Sequence, residues 1–322
     1  MRPGAAVAFH DLAPKLESFR DAVLDGLSRT PKRIPCRFLY DERGSDLFEA
    51  ICDTPEYYPT RTEMTILRKH ARDMARLIGP DATLIEYGSG AGQKVKLLLR
   101  ALDRPFAYAG IEVSREILLR ATDDLSLDWP KLQVVAICAD FLTPISLPAS
   151  LRRGAGRRVA FFPGSSIGNF TPAEATRFLQ QCRTMVGPGG GMLIGVDLKK
   201  DEGRLDAAYN DKAGVTAAFT LNLLDRINRE LGADFAVGRF AHHAKYQPEV
   251  GRVAIHIRSL ADQMVTVAGR RFNFAEGEGI HTEDSWKYAV GEFQDLARDA
   301  GYRPIACWTD AGELFSVHYL AA

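Results

Sequence analysis

The sequence predicts an α/β protein: a doubly wound, mostly parallel sheet carrying an inserted α+β lobe. Three observations support this. Strand-like apolar runs at 83–87, 106–113, 132–138, 158–163 and 192–197 are separated by helix-length segments, the spacing of parallel strands joined by helical crossovers. The first run ends in Gly88-Ser89-Gly90-Ala91-Gly92, a glycine turn that opens a helix, and sheets of this kind bind ligands at the carboxyl ends of their strands. The regular alternation lapses after residue 198 and resumes at 285. The sheet domain is therefore expected at 61–198 and 285–322, with 1–60 and 199–284 as a second lobe. A chain of 322 residues exceeds the size at which one hydrophobic core stops growing, which also favours two lobes.

In chain order, Leu16, Phe19, Val23 and Leu27 share one helical face, and Pro31 and Pro35 end that helix. The segment 36–61 reads as irregular with one short helix near 47–51, and its aromatics Tyr40, Tyr57 and Tyr58 are expected to face something. Thr60 and Glu63 have capping-box spacing ahead of Met64, Leu67, Ala71, Met74 and Ile78. A helix is predicted over 94–102, and Ser114 can cap another. Thr171-Pro172-Ala173-Glu174 supplies an N-cap, a proline at the first helical position and a capping box. Gly187-Pro188-Gly189-Gly190 stops that helix. Helices at 205–208 and 215–231 precede antiparallel strands between 238 and 273. A helix over 284–300 and strands at 304–308 and 314–320 complete the expected order.

Apolar residues make up 46% of the chain and charged residues 25%, as in ordinary globular proteins. Lys plus Arg and Asp plus Glu both number 41 and no basic run stands out, so nothing marks a nucleic-acid or anionic-membrane partner. A small-molecule substrate and a monomer are expected. Cys36, Cys52, Cys138, Cys182 and Cys307 are odd in number and scattered, which reads as reduced thiols in a cytoplasmic protein. Asp11, Lys15 and Glu17 stand where a signal peptide needs an apolar core. The seven histidines, His242-His243 and His281 included, show no metal-ligand spacing, so no metal is expected.

The run Ile85-Glu86-Tyr87-Gly88-Ser89-Gly90-Ala91-Gly92 carries the strongest local chemistry. Glycines let the backbone turn tightly and approach a ligand closely. A dinucleotide fingerprint would need a glycine at Gln93, so the spacing fits an S-adenosylmethionine loop better. Glu112 ends the second strand, where a carboxylate can accept from a ribose diol. Asp140-Phe141 ends the third, where a carboxylate and an apolar ring can hold adenine. Taken singly, a glycine turn is often only a turn and a strand-end carboxylate only a solvated cap. Three such features at three successive strand ends argue for a cofactor site.

Further runs carry a family pattern: Phe38-Leu39-Tyr40-Asp41 with Gly44-Ser45, the segment from Pro55-Glu56-Tyr57-Tyr58 to Glu63, and Gly164-Ser165-Ser166-Ile167-Gly168-Asn169. Asp197-Leu198-Lys199-Lys200-Asp201, Tyr209-Asn210-Asp211, the run Ala213 to Phe219, Asn228-Arg229-Glu230-Leu231 and Thr282-Glu283-Asp284-Ser285 extend it over nearly the whole chain. In these runs the chain resembles the L-histidine Nα-methyltransferases of ergothioneine biosynthesis. The resemblance implies a Rossmann-like class I methyltransferase sheet and three methyl transfers from S-adenosylmethionine to the α-amine of histidine, giving hercynine. It implies that Asn169 and Tyr209 hold the substrate carboxylate, Glu283 and Ser285 the imidazole, and Tyr57 the amine, with Tyr40 beside the ring. It also implies that Gly88, Gly90, Lys94, Glu112, Asp140, Phe141 and Gly164 contact the cofactor. Ile255 stands where the family has a methionine against the ring.

On the residues alone, blander readings stay open. Tyr57 and Tyr58 could plug a loop, Asn169 could be a turn residue, Ser285 a helix N-cap with Glu283 solvated before it, and Lys199-Lys200 a solvated pair. Two rival functions are a related N-methyltransferase acting on another aromatic amino acid or an indole-alkaloid amine, and a non-enzymatic sensor of S-adenosylmethionine. The first would have an apolar ring pocket, against Glu283 and Ser285. A nucleic-acid amine methyltransferase would carry Asn/Asp-Pro-Pro-aromatic where this chain has Pro163-Gly164-Ser165.

Overall fold

The computed structural model describes residues 7–12, 17–88, 90, 92–141, 143–154 and 156–322. The predicted helical face includes Leu16, which lies outside the described residues. The chain forms two compact units, residues 1–16, 61–198 and 288–322 in the first and 17–60 and 199–287 in the second.

The first unit is built on an eight-stranded sheet in the order Ala8–Asp11, Gln133–Cys138, Ala107–Glu112, Thr83–Tyr87, Arg158–Phe162, Gly191–Asp197, Phe315–Ala321 and Arg303–Thr309. The first six are parallel, and only Phe315–Ala321 runs against its neighbours. The strand order reverses between Thr83–Tyr87 and Arg158–Phe162, so the crevice of a doubly wound sheet opens beside the glycine loop. Strands buried on both faces explain the continuous apolar runs; all five residues of Thr83–Tyr87 are buried. The core of this unit gathers Leu84, Val95, Leu98, Val134, Val159, Phe161, Leu193 and Val317. The helix Pro172–Val186 has the predicted capping box, with Thr171 N–H donating to Glu174 at 2.9 Å.

The second unit holds a four-stranded sheet in the order Lys32–Arg33, Gly279–Trp286, Arg252–Ser259 and Phe240–Gln247, and a separate hairpin Gln263–Val267/Arg270–Phe274. The helices Phe19–Ser28, Glu42–Asp53 and Val215–Leu231 belong to the same unit. Val23, Leu27, Leu39, Ile51, Phe219, Leu223, Ile257 and Ile280 form its core. Several family-pattern residues serve as fasteners here. Asp41 caps Glu42–Asp53 by accepting the Gly44 N–H at 2.8 Å, and also accepts from Asn222 and Arg229 at 2.7 Å each. Asp211 accepts the N–H groups of Val215 and Thr216 at 2.9 and 2.7 Å, opening Val215–Leu231.

Three expectations need correction. Residues 8–11, expected in the second lobe, pair in parallel with Gln133–Cys138 at the edge of the first sheet, a pairing over 120 positions away that no local pattern announces. The helix expected over 284–300 begins only at Val290; Asp284, Ser285 and Trp286 extend the strand Gly279–Trp286, paired with Ala254, Val253 and Arg252. Cross-strand burial overrides the helical reading there, and the boundary at 285 moves with it. Thr60 lies inside a helix that begins at Pro59, and the Glu63 carboxylate is buried rather than capping.

Candidate active site

In the first unit, the predicted cofactor residues converge on the carboxyl ends of four neighbouring strands. After Thr83–Tyr87 the backbone passes through positive φ at Gly88 (69°), Gly90 (40°) and Gly92 (67°). At Gly88 and Gly92 an added Cβ would meet nothing within 4 Å, so sterics from the protein do not demand these glycines; the left-handed backbone and space for a ligand do. Glu112 ends its strand with Oε1 accepting the N–H groups of Val113 and Ser114 at 2.8 and 3.3 Å, which aims the carboxylate. Burial raises its pKa. Asp140 follows the third strand, and Phe141 packs its ring 6.2 Å from Tyr87 and 6.1 Å from both Phe162 and Phe178. Open left-handed glycines, an aimed carboxylate at the second strand end and an aromatic wall at the third suit the amino-acid, ribose and adenine parts of S-adenosylmethionine.

Glu63 is a residue that the sequence reading missed. Its carboxylate accepts the Gly164 N–H at 2.9 Å and pairs with Lys94 Nζ at 2.6 Å. Gly195 makes room for it, since a Cβ there would lie 2.2 Å from Glu63 Oε1. Gly164 has φ of 84°, and a Cβ on it would lie 3.3 Å from Lys94 Nζ. Lys94 and Gly164 are thus joined to each other through Glu63. Beside them Glu86 is fully buried; burial pushes its carboxyl up to about 8 against the opposing hydrogen bond from Tyr108 Oη at 2.6 Å. Asn169 ends the turn Ser166–Asn169 in this unit, half-buried, its side-chain amide without a hydrogen-bond partner among the described residues.

The second unit brings together Tyr40, Tyr57, Tyr209, Glu283 and Ser285. Tyr57 is buried, its ring 6.4 Å from Phe48 and 6.2 Å from Tyr209, both edge-on. Tyr40 packs edge-on to Phe48 and Phe219 at 5.5 and 5.3 Å. Tyr209 Oη lies 2.7 Å from Ser285 Oγ. Its backbone carbonyl is held by His242 Nε2 at 2.8 Å, and burial lowers the pKa of His242, which suits a neutral ring donating there. Lys200 Nζ donates to Tyr58 Oη at 2.5 Å, so Lys200 is not simply solvated.

Glu283 stands opposite Ile255 in the neighbouring strand, and burial pushes its carboxyl up to about 7 although Lys287 draws it down. The carboxylate has no hydrogen-bond partner among the described residues. Burial, reinforced by the Glu283 charge, holds the Tyr40 hydroxyl well above its usual range. Lys287, also missed, is 2% exposed and donates to Tyr209 Oη and Ser285 Oγ at 2.8 Å each. The period-two spacing of Glu283, Ser285 and Lys287 on an extended chain is the signal that could have found it. Among the described residues no cluster of three metal-ligating side chains occurs, and no helix is long and apolar enough to cross a membrane.

The chain is similar to the histidine N-alpha-methyltransferases of Mycolicibacterium smegmatis, 39% identical over 91% of this chain and 92% of that one, and of Mycobacterium tuberculosis, 38% identical over 94% and 95%. It is 36% identical over 90% of its length to ergothioneine biosynthesis protein 1 of Neurospora crassa, of which it covers 33%. Residues 19–322 match the family described as histidine-specific methyltransferase, SAM-dependent. A class I sheet with an S-adenosylmethionine loop, together with these similarities, places the chain in the SAM-dependent histidine-specific methyltransferase family.

Proposed function

We propose that this enzyme transfers methyl groups from S-adenosylmethionine to the α-amine of L-histidine three times, giving Nα,Nα,Nα-trimethylhistidine (hercynine), the first step of ergothioneine biosynthesis. The observation that carries the reading is Glu283: a half-buried carboxylate with no hydrogen-bond partner among the described residues, two positions before the Ser285 hydroxyl on the same strand, fits an imidazole and not an apolar ring. A ring unable to donate would leave that carboxylate unpaired, which penalises other aromatic amino acids.

The remaining roles follow the family resemblance. Asn169 and Tyr209 hold the substrate carboxylate, and Tyr40 lines the ring. Gly88, Gly90, Lys94, Glu112, Asp140, Phe141 and Gly164 serve the cofactor. When bound, S-adenosylmethionine supplies a methyl group on an already electrophilic sulfonium, so no nucleophilic side chain is needed. The protein's task is to present a neutral amine in line. Tyr57, with its hydroxyl near the amine, aims the lone pair. Five free thiols support a cytoplasmic protein, and we read it as a monomer. Labelled S-adenosylmethionine offered with each free amino acid tests the substrate; label transferred to phenylalanine or tryptophan as readily as to histidine would overturn the assignment.

A further inference from the structure

We propose that His281 and Asp284 are positioning residues for the ring site: their contact locks a β-bulge that turns Glu283 and Ser285 to the inner face of the four-stranded sheet. The inference rests on the substrate reading above, in which Glu283 and Ser285 receive the imidazole, and deepens it.

Along an unbroken strand alternate residues share a face, so His281, Glu283 and Ser285 would all lie on one side. The pairing of Gly279–Trp286 with Arg252–Ser259 is different. Ile280 and His281 stand opposite Ile257 and His256, but Glu283 stands opposite Ile255, Asp284 opposite Ala254 and Ser285 opposite Val253. Thr282 is the extra residue, and beyond it every side chain has changed face. Glu283 and Ser285 therefore share the face of Val253, Ile255, Ile257 and Ile280, all buried. With no bulge, Glu283 would meet Ala254 and Ser285 would meet Arg252. That is the face of the His256 and His281 rings, whose centroids lie 5.1 Å apart.

Glu283 has no hydrogen bond of its own among the described residues, so the backbone register alone decides which way it faces. Its neighbours hold that register. Asp284 Oδ1 accepts from His281 Nε2 at 3.0 Å and Oδ2 from Arg252 Nη1 at 2.8 Å. A carboxylate only accepts, so His281 Nε2 carries the proton. Arg252 Nε in turn donates to Gln247 Oε1 at 3.1 Å, and the buried Thr282 hydroxyl donates to the Ile255 carbonyl at 3.2 Å. Residues 281 and 284 are an odd number of positions apart, which on a straight strand sends their side chains to opposite faces. Their bond forms only where the extra residue is present, and it stabilises this register against the one that turns Glu283 away from the ring.

The test is calorimetry of histidine binding to the full chain loaded with S-adenosylhomocysteine. His281→Ala and Asp284→Ala should each raise the Kd for histidine about tenfold, while S-adenosylhomocysteine affinity holds. His281→Gln, whose amide nitrogen can take the place of Nε2, should recover most of the loss. In a chain carrying both Glu283→Gln and Ser285→Ala, the further loss from His281→Ala should be under about twofold, because nothing remains for it to position. Wild-type histidine affinity in His281→Ala, the same loss in the doubly substituted chain, or a glutamine variant as weak as the alanine one would overturn the proposal. Should the alanine variants not fold, Thr282→Val keeps the β-branched shape and removes only the clasp on Ile255. Its loss should again vanish in the doubly substituted chain, and a loss that persists there would overturn the proposal. Wild-type histidine affinity in Glu283→Gln alone would overturn the substrate reading itself, which is a distinct result.

Discussion

Lys94 Nζ lies 2.6 Å from a Glu63 carboxylate that also accepts the Gly164 N–H, so one buried side chain ties the helix after the glycine loop to the turn after the fourth strand. Removing Glu63 strands an ammonium and a backbone N–H together. Glu63→Ala should cost about 3 kcal/mol or more of stability, and Glu63→Gln less because one acceptor survives. Urea unfolding reads both. An unaltered midpoint in the alanine variant would mean that the pair ties nothing.

Glu112→Ala should weaken S-adenosylmethionine binding by on the order of 1 to 3 kcal/mol, the scale of a partly buried acceptor lost from a ligand. Titration calorimetry is the measurement. Wild-type affinity would remove Glu112 from the cofactor site and leave it as a cap for Val113 and Ser114.

Glu283→Gln should lower kcat/KM for histidine far more than cofactor affinity, and narrow the preference for histidine over other aromatic amino acids. The same change should stabilise the free protein at pH 8. The folded carboxyl sits at about 7 against an ordinary 4.5, so the folded chain binds this proton more tightly than the unfolded chain does. The stability it contributes is complete below about 4.5 and is lost as pH rises through about 7. The glutamine variant escapes that loss, and its advantage should grow between pH 5 and 8 to on the order of 2 kcal/mol. A difference in urea midpoint that does not change with pH would show that Glu283 titrates normally.

On the role proposed for Tyr57, in which the hydroxyl orients the amine and does not remove its proton, Tyr57→Phe should slow methyl transfer without stopping it. The single-turnover rate should climb with pH toward the pKa of the substrate amine. Mass spectrometry of an exhausted reaction should show trimethylhistidine. A monomethyl end product, or methyl groups on the ring, would reassign the acceptor.

Much of the sheet unit was legible because its evidence is local: buried strands are written as apolar runs, the glycine turn as glycines, and the capping box at Thr171 and Glu174 as adjacent letters. The family runs drew attention to Tyr209 and Ser285, whose hydroxyls the structure brings within 2.7 Å of each other. What escaped depends on distant partners. Glu63 had capping-box spacing, yet its partners Lys94 and Gly164 are 31 and 101 positions away. Ala8–Asp11 is four residues long and gains its identity only from the edge it pairs with. The stretch from Asp284 to Trp286 has no helix-breaking residue, and only cross-strand pairing with 252–254 keeps it extended. Nothing local marks Lys287, because its partner Tyr209 lies 78 positions away.

The antiparallel strand Phe315–Ala321 lies between Gly191–Asp197 and Arg303–Thr309, which gives the sheet a particular order of assembly. Its partner Gly191–Asp197 leaves the ribosome more than a hundred residues earlier and must wait with an open edge while residues 199–287 are made. Closing so long an intervening loop adds little entropy if that stretch has already collapsed into its own core, and far more conformational searching if it has not. Synthesis therefore sets a natural sequence: the inserted unit first, the final hairpin second, and the completed sheet last. Mutations that slow the inserted unit should be felt as aggregation of the other one, through the exposed edge of Gly191–Asp197.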